Sequence, residues 1–96
     1  MHAVRYARQP LPVTLLTQDS CVFCDQAKEL LARLATEYPL ALSLLDIGSP
    51  EGRALAARGA ILFPPGIFLD GTPFSYGRLS ERKLRRALDR RLQLEG

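Results

Sequence analysis

The chain holds two cysteines, Cys21 and Cys24, in the stretch DSCVFCD that runs from Asp19 to Asp25. On a helix, positions three apart fall within one turn, so these sulfurs could share an electrophile or bond to each other. Three readings suit such a pair: thiol–disulfide exchange, part of a metal site, or two small apolar side chains near a helix start. For exchange, the order matters. Peptide N–H groups and the positive end of the helix dipole favour a thiolate at the first position. Cys21 is therefore the expected nucleophile, and Cys24 the thiol that resolves a mixed disulfide formed at Cys21. Asp19 and Asp25 flank the pair, and negative charge nearby works against a thiolate. Metal binding meets a shortage of ligands. A structural zinc site needs four, and one chain offers two cysteines and the remote His2. No metal is expected from one chain; a site or cluster shared by two chains is the alternative.

The elements that would carry these residues are legible from periodicity. Leu11 to Thr17 (LPVTLLT) is a short apolar run that reads as a buried strand. From Val22 the period changes: Ala27, Leu30, Leu31, Leu34, Ala35 and Tyr38 form one helical face, and Pro39 is expected to end the helix. Leu40 to Ile47 reads as a second apolar strand. Ser49 then looks like a helix cap with Pro50 at the first helical position, and Gly59 as the stop of a short helix. The stretch GIFLDGTPFSY predicts two strands joined at Asp70-Gly71. Ser80 caps a last helix with Leu84, Ala87, Leu88 and Leu92 as its buried stripe. The order is β-α-β-α-β-β-α, an α/β chain with a four-stranded mixed sheet and helices on both faces. The first crossover makes a right-handed parallel unit, and the closing hairpin must be antiparallel.

At 96 residues, 47% hydrophobic and 24% charged, the chain has the composition of one ordinary globular domain. Residues 1–10 read as an N-terminal extension and residues 11–96 as the domain. No run approaches the roughly 18 apolar residues of a membrane span, and the opening MHAVRYARQP lacks the apolar region of a signal peptide. Those features predict a cytoplasmic protein with no membrane partner, where a cysteine pair is more often catalytic or metal-binding than structural. The net charge is +3, and seven basic residues fall between Arg78 and Arg91. Arg82, Arg85, Arg86 and Arg90 mostly occupy the face opposite the leucines, so a solvated polar face is expected there rather than a nucleic-acid surface.

With these motifs in this order, residues 11 to 94 resemble the thioredoxin-fold superfamily and, within it, the small glutaredoxin-like proteins. Besides the element order, the resemblance rests on Cys21-Val22-Phe23-Cys24 at a strand-to-helix junction, on FPPGIFLDG and on YGRLSE. It implies a thioredoxin-like, glutaredoxin-type fold with a cis-proline facing the cysteines. Counting back from Asp70-Gly71 assigns that place to Pro65, after Pro64. The resemblance also implies a thiol–disulfide oxidoreductase that reduces protein or glutathione mixed disulfides. It implies no bound cofactor, with glutathione a candidate co-substrate, and glutathione or a flavin-dependent reductase as electron donor. A monomer is expected.

The chain departs from both relatives. No proline stands between the cysteines, and the buried acid that thioredoxins carry six residues before the first cysteine is Leu15 here. Glutaredoxins hold glutathione through the N–H and C=O of the residue before the cis-proline. Pro64 has no N–H to give, and one lost bond of that kind costs about 1 kcal/mol. Ser80 and Glu81 match the helix start that receives the γ-glutamyl end, Arg78 is available for a carboxylate, and Phe23 is a candidate contact beside the reactive sulfur. A thioredoxin-fold adaptor, with a metal or cluster held by Cys21 and Cys24 in a dimer, is the competing function.

Overall fold

Strand β1 (Leu11–Thr17) is an interior strand of the structure, a computed structural model describing residues 9–92. Residues 1–8 of the expected extension lie outside the described residues. β1 runs parallel to β2 (Leu40–Asp46), with Leu11 opposite Leu40 and Thr17 opposite Asp46. On its other side it pairs antiparallel with β3 (Gly66–Leu69), which in turn pairs antiparallel with β4 (Thr72–Tyr76). The sheet order is β2-β1-β3-β4. Three helices complete the chain: α1 (Val22–Leu34), α2 (Pro50–Arg58) and α3 (Glu81–Leu92).

Alternation along the strands divides the core in two. Leu11, Val13 and Leu15 of β1, with Ile67 and Leu69 of β3, meet Ala27, Leu30, Leu31 and Leu34 of α1 and the Leu84–Leu88–Leu92 stripe of α3. On the other face Leu16 and Phe68 pack with Ile61 and are covered by Leu45, Ile47, Leu55 and Ala56. The four-stranded mixed sheet with helices on both faces is thus present as expected.

Local signals hold at most element ends. The Ser49 hydroxyl accepts from the Gly52 N–H at 2.9 Å, and Pro50 opens α2. Gly52 presses so closely on the end of β2 that a Cβ would run into the carbonyl oxygen of Asp46. At the hairpin, Asp70 and Gly71 take φ of +51° and +81°, the left-handed pair that a two-residue turn requires.

Two expectations are corrected. Helix α1 stops at Leu34 rather than continuing to Pro39. There the Thr36 hydroxyl donates to the Arg33 carbonyl at 2.7 Å, while the N–H groups of Glu37 and Tyr38 both turn back to Leu34. A hydroxyl that satisfies a terminal carbonyl offers the chain an alternative to another helical turn. Tyr38 is still buried in the larger core cluster, and its hydroxyl donates to Asp89 on α3 at 2.8 Å. The second correction concerns β2, which ends at Asp46 rather than Ile47. It is apolar, yet it lies at the sheet edge, with Leu42 40% and Leu44 59% exposed beside an open cleft of about 300 Å³. Among the described residues no helix is long and apolar enough to cross a membrane.

A charged cluster ties α3 to the turn after α1. Arg85 grips the Glu37 carboxylate with two N–H groups at 2.8 and 3.0 Å and reaches Glu81 with a third at 2.9 Å. That bond to Arg85, helped by the Arg85 and Arg33 charges, holds the Glu37 carboxyl below its ordinary value. A carboxyl lowered in the folded state stabilises the fold above its unfolded pKa, near 4.5, and loses that contribution as pH falls through the folded value. Urea unfolding of Glu37→Gln should therefore show a stability deficit at neutral pH that narrows as pH drops below 4.5. A deficit constant from pH 7 to pH 3 would contradict the role given to this pair.

Candidate functional site

The path to the site starts where β1 ends. Ser20 adopts a left-handed φ of +54°, which turns the chain from the strand into α1, and Cys21 follows in extended conformation as the helix cap. Serine, threonine or aspartate usually fills such a cap, because its oxygen accepts one of the free N–H groups of the first turn. Here the Cys21 sulfur does so, receiving the Cys24 N–H at 3.1 Å. The two cysteines form a disulfide, with Cα atoms 5.1 Å apart. They are not equivalent. Cys24 is completely buried, whereas Cys21 is half-buried and open to approach. Asp25 points away into solvent, 71% exposed and 4.0 Å from Lys28.

Two further loops are linked to each other and, through Arg78, to the segment between the cysteines. The Pro64–Pro65 bond is cis, at the place expected. The Pro65 carbonyl accepts from the Gly77 N–H at 2.8 Å, which fixes the loop after β4 to the loop before β3. Gly77 has a φ of +80°, and a Cβ there would stand 3.0 Å from the Phe63 ring. Phe63 meets Tyr76 edge-on, with ring centroids 5.1 Å apart. Next along the chain, the Arg78 guanidinium lies 5.3 Å over the Phe23 ring, so the loop after β4 touches the segment between the cysteines.

The remaining candidates are occupied within the protein. Ser80 caps α3, its hydroxyl accepting from the Lys83 N–H at 3.3 Å. Glu81 is bonded to Arg85 and lies 3.7 Å from Arg33. Leu15 is buried in the larger core cluster, so no carboxylate stands there. Leu62 and Phe63, 74% and 52% exposed, were not singled out by the sequence reading. The signal for them was an apolar pair beside two prolines, which reads equally well as core. Among the described residues no three His, Cys, Asp or Glu side chains gather as metal ligands.

The family model of the glutaredoxin-like domain (DUF836) matches residues 12–89. The chain belongs to this glutaredoxin-like family. No curated protein matches it in sequence. Among solved structures the glutaredoxin-like chain is similar to a mutant thioredoxin from Halobacterium salinarum, at TM-score 0.68 and 20% identity, covering 95% of this chain and 83% of that one. It is also similar to thioredoxin f2 from Chlamydomonas reinhardtii, at TM-score 0.62 and 16% identity, covering 95% and 93%. At such identities the likeness speaks for the fold alone: this glutaredoxin-like protein has a thioredoxin-like fold with a Cys21–Cys24 pair at disulfide distance.

The unequal exposure of the sulfurs has a direct consequence. After reduction, limited iodoacetamide treatment should alkylate Cys21 about tenfold or more faster than Cys24, as peptide mass mapping would read out. Faster labelling of Cys24 would reverse the assigned roles.

Proposed function

We propose that this protein is a small thiol–disulfide oxidoreductase that reduces protein or glutathione mixed disulfides. The observation that carries the reading is the asymmetry of the pair: an approachable sulfur at a helix start, bonded to a buried one a turn later. In the reduced protein, the N–H that the Cys21 sulfur receives would favour a thiolate over a thiol. That thiolate attacks one sulfur of the substrate disulfide. A bond forms between Cys21 and that sulfur, and the other substrate sulfur leaves as a thiolate. Cys24, deprotonated, then attacks the Cys21 sulfur, closes the internal disulfide and expels the second substrate thiolate. Two electrons pass from the protein to the substrate in these steps.

No bound cofactor enters the scheme. Glutathione or a flavin-dependent reductase would return the electrons, and a cytoplasmic setting would keep such donors at hand. Pro65, whose side chain is fully buried, would shape the groove for the substrate chain from within, by fixing the loop before β3. Glutathione itself would meet one donor fewer at Pro64, which has no N–H, and a Glu81 carboxylate already engaged by Arg85.

Two variants test the scheme. Cys21→Ser should abolish reduction of insulin or of a glutathionylated peptide. Cys24→Ser should retain the first step and accumulate a mixed disulfide at Cys21, visible by mass spectrometry as a covalent adduct. Full activity in Cys21→Ser, or no adduct with Cys24→Ser, would refute it.

A further inference from the structure

Seven large hydrophobic side chains are exposed among the described residues, and five of them belong to one linked surface: Val22 and Phe23 between the cysteines, and Leu62, Phe63 and Tyr76 on the segments that Gly77 and Arg78 join to Phe23. The concentration selects this face over the β2 edge, which has the other two. The contacts also run unbroken outward from the redox pair. Phe23 lies between the cysteines, the Arg78 guanidinium covers its ring, Gly77 rests against Phe63, and Phe63 meets Tyr76. Arg78 is the cation within this ridge, and among the described residues no carboxylate holds it. The polar groups at the start of α3 are spent inside the protein, Ser80 on the Lys83 N–H and Glu81 on Arg85. What the surface offers to a ligand is therefore aromatic area with one positive charge.

We infer that this ridge selects the substrate: a polypeptide cysteine in a disulfide, flanked by an apolar or aromatic side chain and by a carboxylate that meets Arg78. The inference rests on the exchange reaction proposed above and names the partner for it. The apolar neighbour lies across Phe63 and Tyr76, and the carboxylate pairs with the guanidinium beside Phe23. Cys21 then attacks the cysteine so placed, with the electron balance already given. A small hydrophilic disulfide gains little from the ridge, because it has no side chain to cover the rings.

Single-turnover reduction with fully reduced protein tests this without any added reductant. Three disulfide probes suffice: oxidised glutathione, the disulfide of a short peptide with Phe and Asp next to its cysteine, and the same peptide with Lys in place of Asp. The wild type should reduce the Phe/Asp peptide about tenfold faster than the Phe/Lys peptide or oxidised glutathione. Arg78→Glu should reverse the preference between the two peptides, and Phe63→Ser should shrink the peptide-to-glutathione ratio towards unity. Circular dichroism would confirm that both variants are folded. Equal rates on all three probes in the wild type, or an Asp preference that survives Arg78→Glu, would overturn the inference while leaving the exchange reaction standing. Failure to reduce any probe would instead overturn the exchange reading, and the inference with it.

Discussion

A backbone N–H pointing at a sulfur organises this molecule. The first turn of any helix has N–H groups without carbonyl partners, and something must accept them. In α1 a cysteine sulfur takes that place, with the Cys24 N–H as donor. One local requirement thereby fixes three things: where the helix begins, which sulfur faces outward, and how close the second sulfur comes. The rest of the fold serves to hold this helix end still. β1 delivers the chain from the middle of the sheet, and Ala27, Leu30, Leu31 and Leu34 seat α1 on the sheet in the larger core cluster.

The borders of the site follow from a second set of short-range constraints. The Gly77 N–H bonds to the Pro65 carbonyl, and the left-handed Gly77 leaves room for the Phe63 ring. The loop before β3 and the loop after β4 are thus one unit, and Arg78 joins that unit to the helix start through Phe23. On the far side, Arg85 with Glu37 and Glu81 binds α3 to the end of α1. These residues are held by hydrogen bonds and ring contacts, and their apolar faces are left exposed.

Much of this was readable beforehand because it depends on nearest neighbours in the chain. The Asp70-Gly71 turn, the Ser49 and Ser80 caps and the Cys21 helix start all follow from local backbone chemistry, whereas the place of Pro65 came from the family resemblance. What the sequence concealed depends on tertiary context. Tyr38 continues the periodicity of α1, yet it lies beyond the helix end, buried in the core with its hydroxyl on Asp89, 51 positions away. Leu42 and Leu44 look like core in an apolar strand, but β2 has no neighbour beyond it in the sheet order and α1 does not cover them. Phe63 could not be separated from a core residue until Gly77 and Tyr76 were seen against it. The sign of the local field at Cys21 was likewise open, since Asp25 could have faced the sulfur; instead it faces solvent near Lys28.

The proposed exchange requires Cys21 and Cys24 to form one reversible dithiol–disulfide couple. Equilibrating the protein in glutathione buffers of graded potential, quenching with acid and weighing the species tests it most directly. A loss of two hydrogens that titrates reversibly is expected, with at most a minor glutathione adduct, and the midpoint gives the reduction potential. A stable glutathione adduct at Cys21 without the two-hydrogen loss would contradict it, as would a pair that stays unchanged across the whole range.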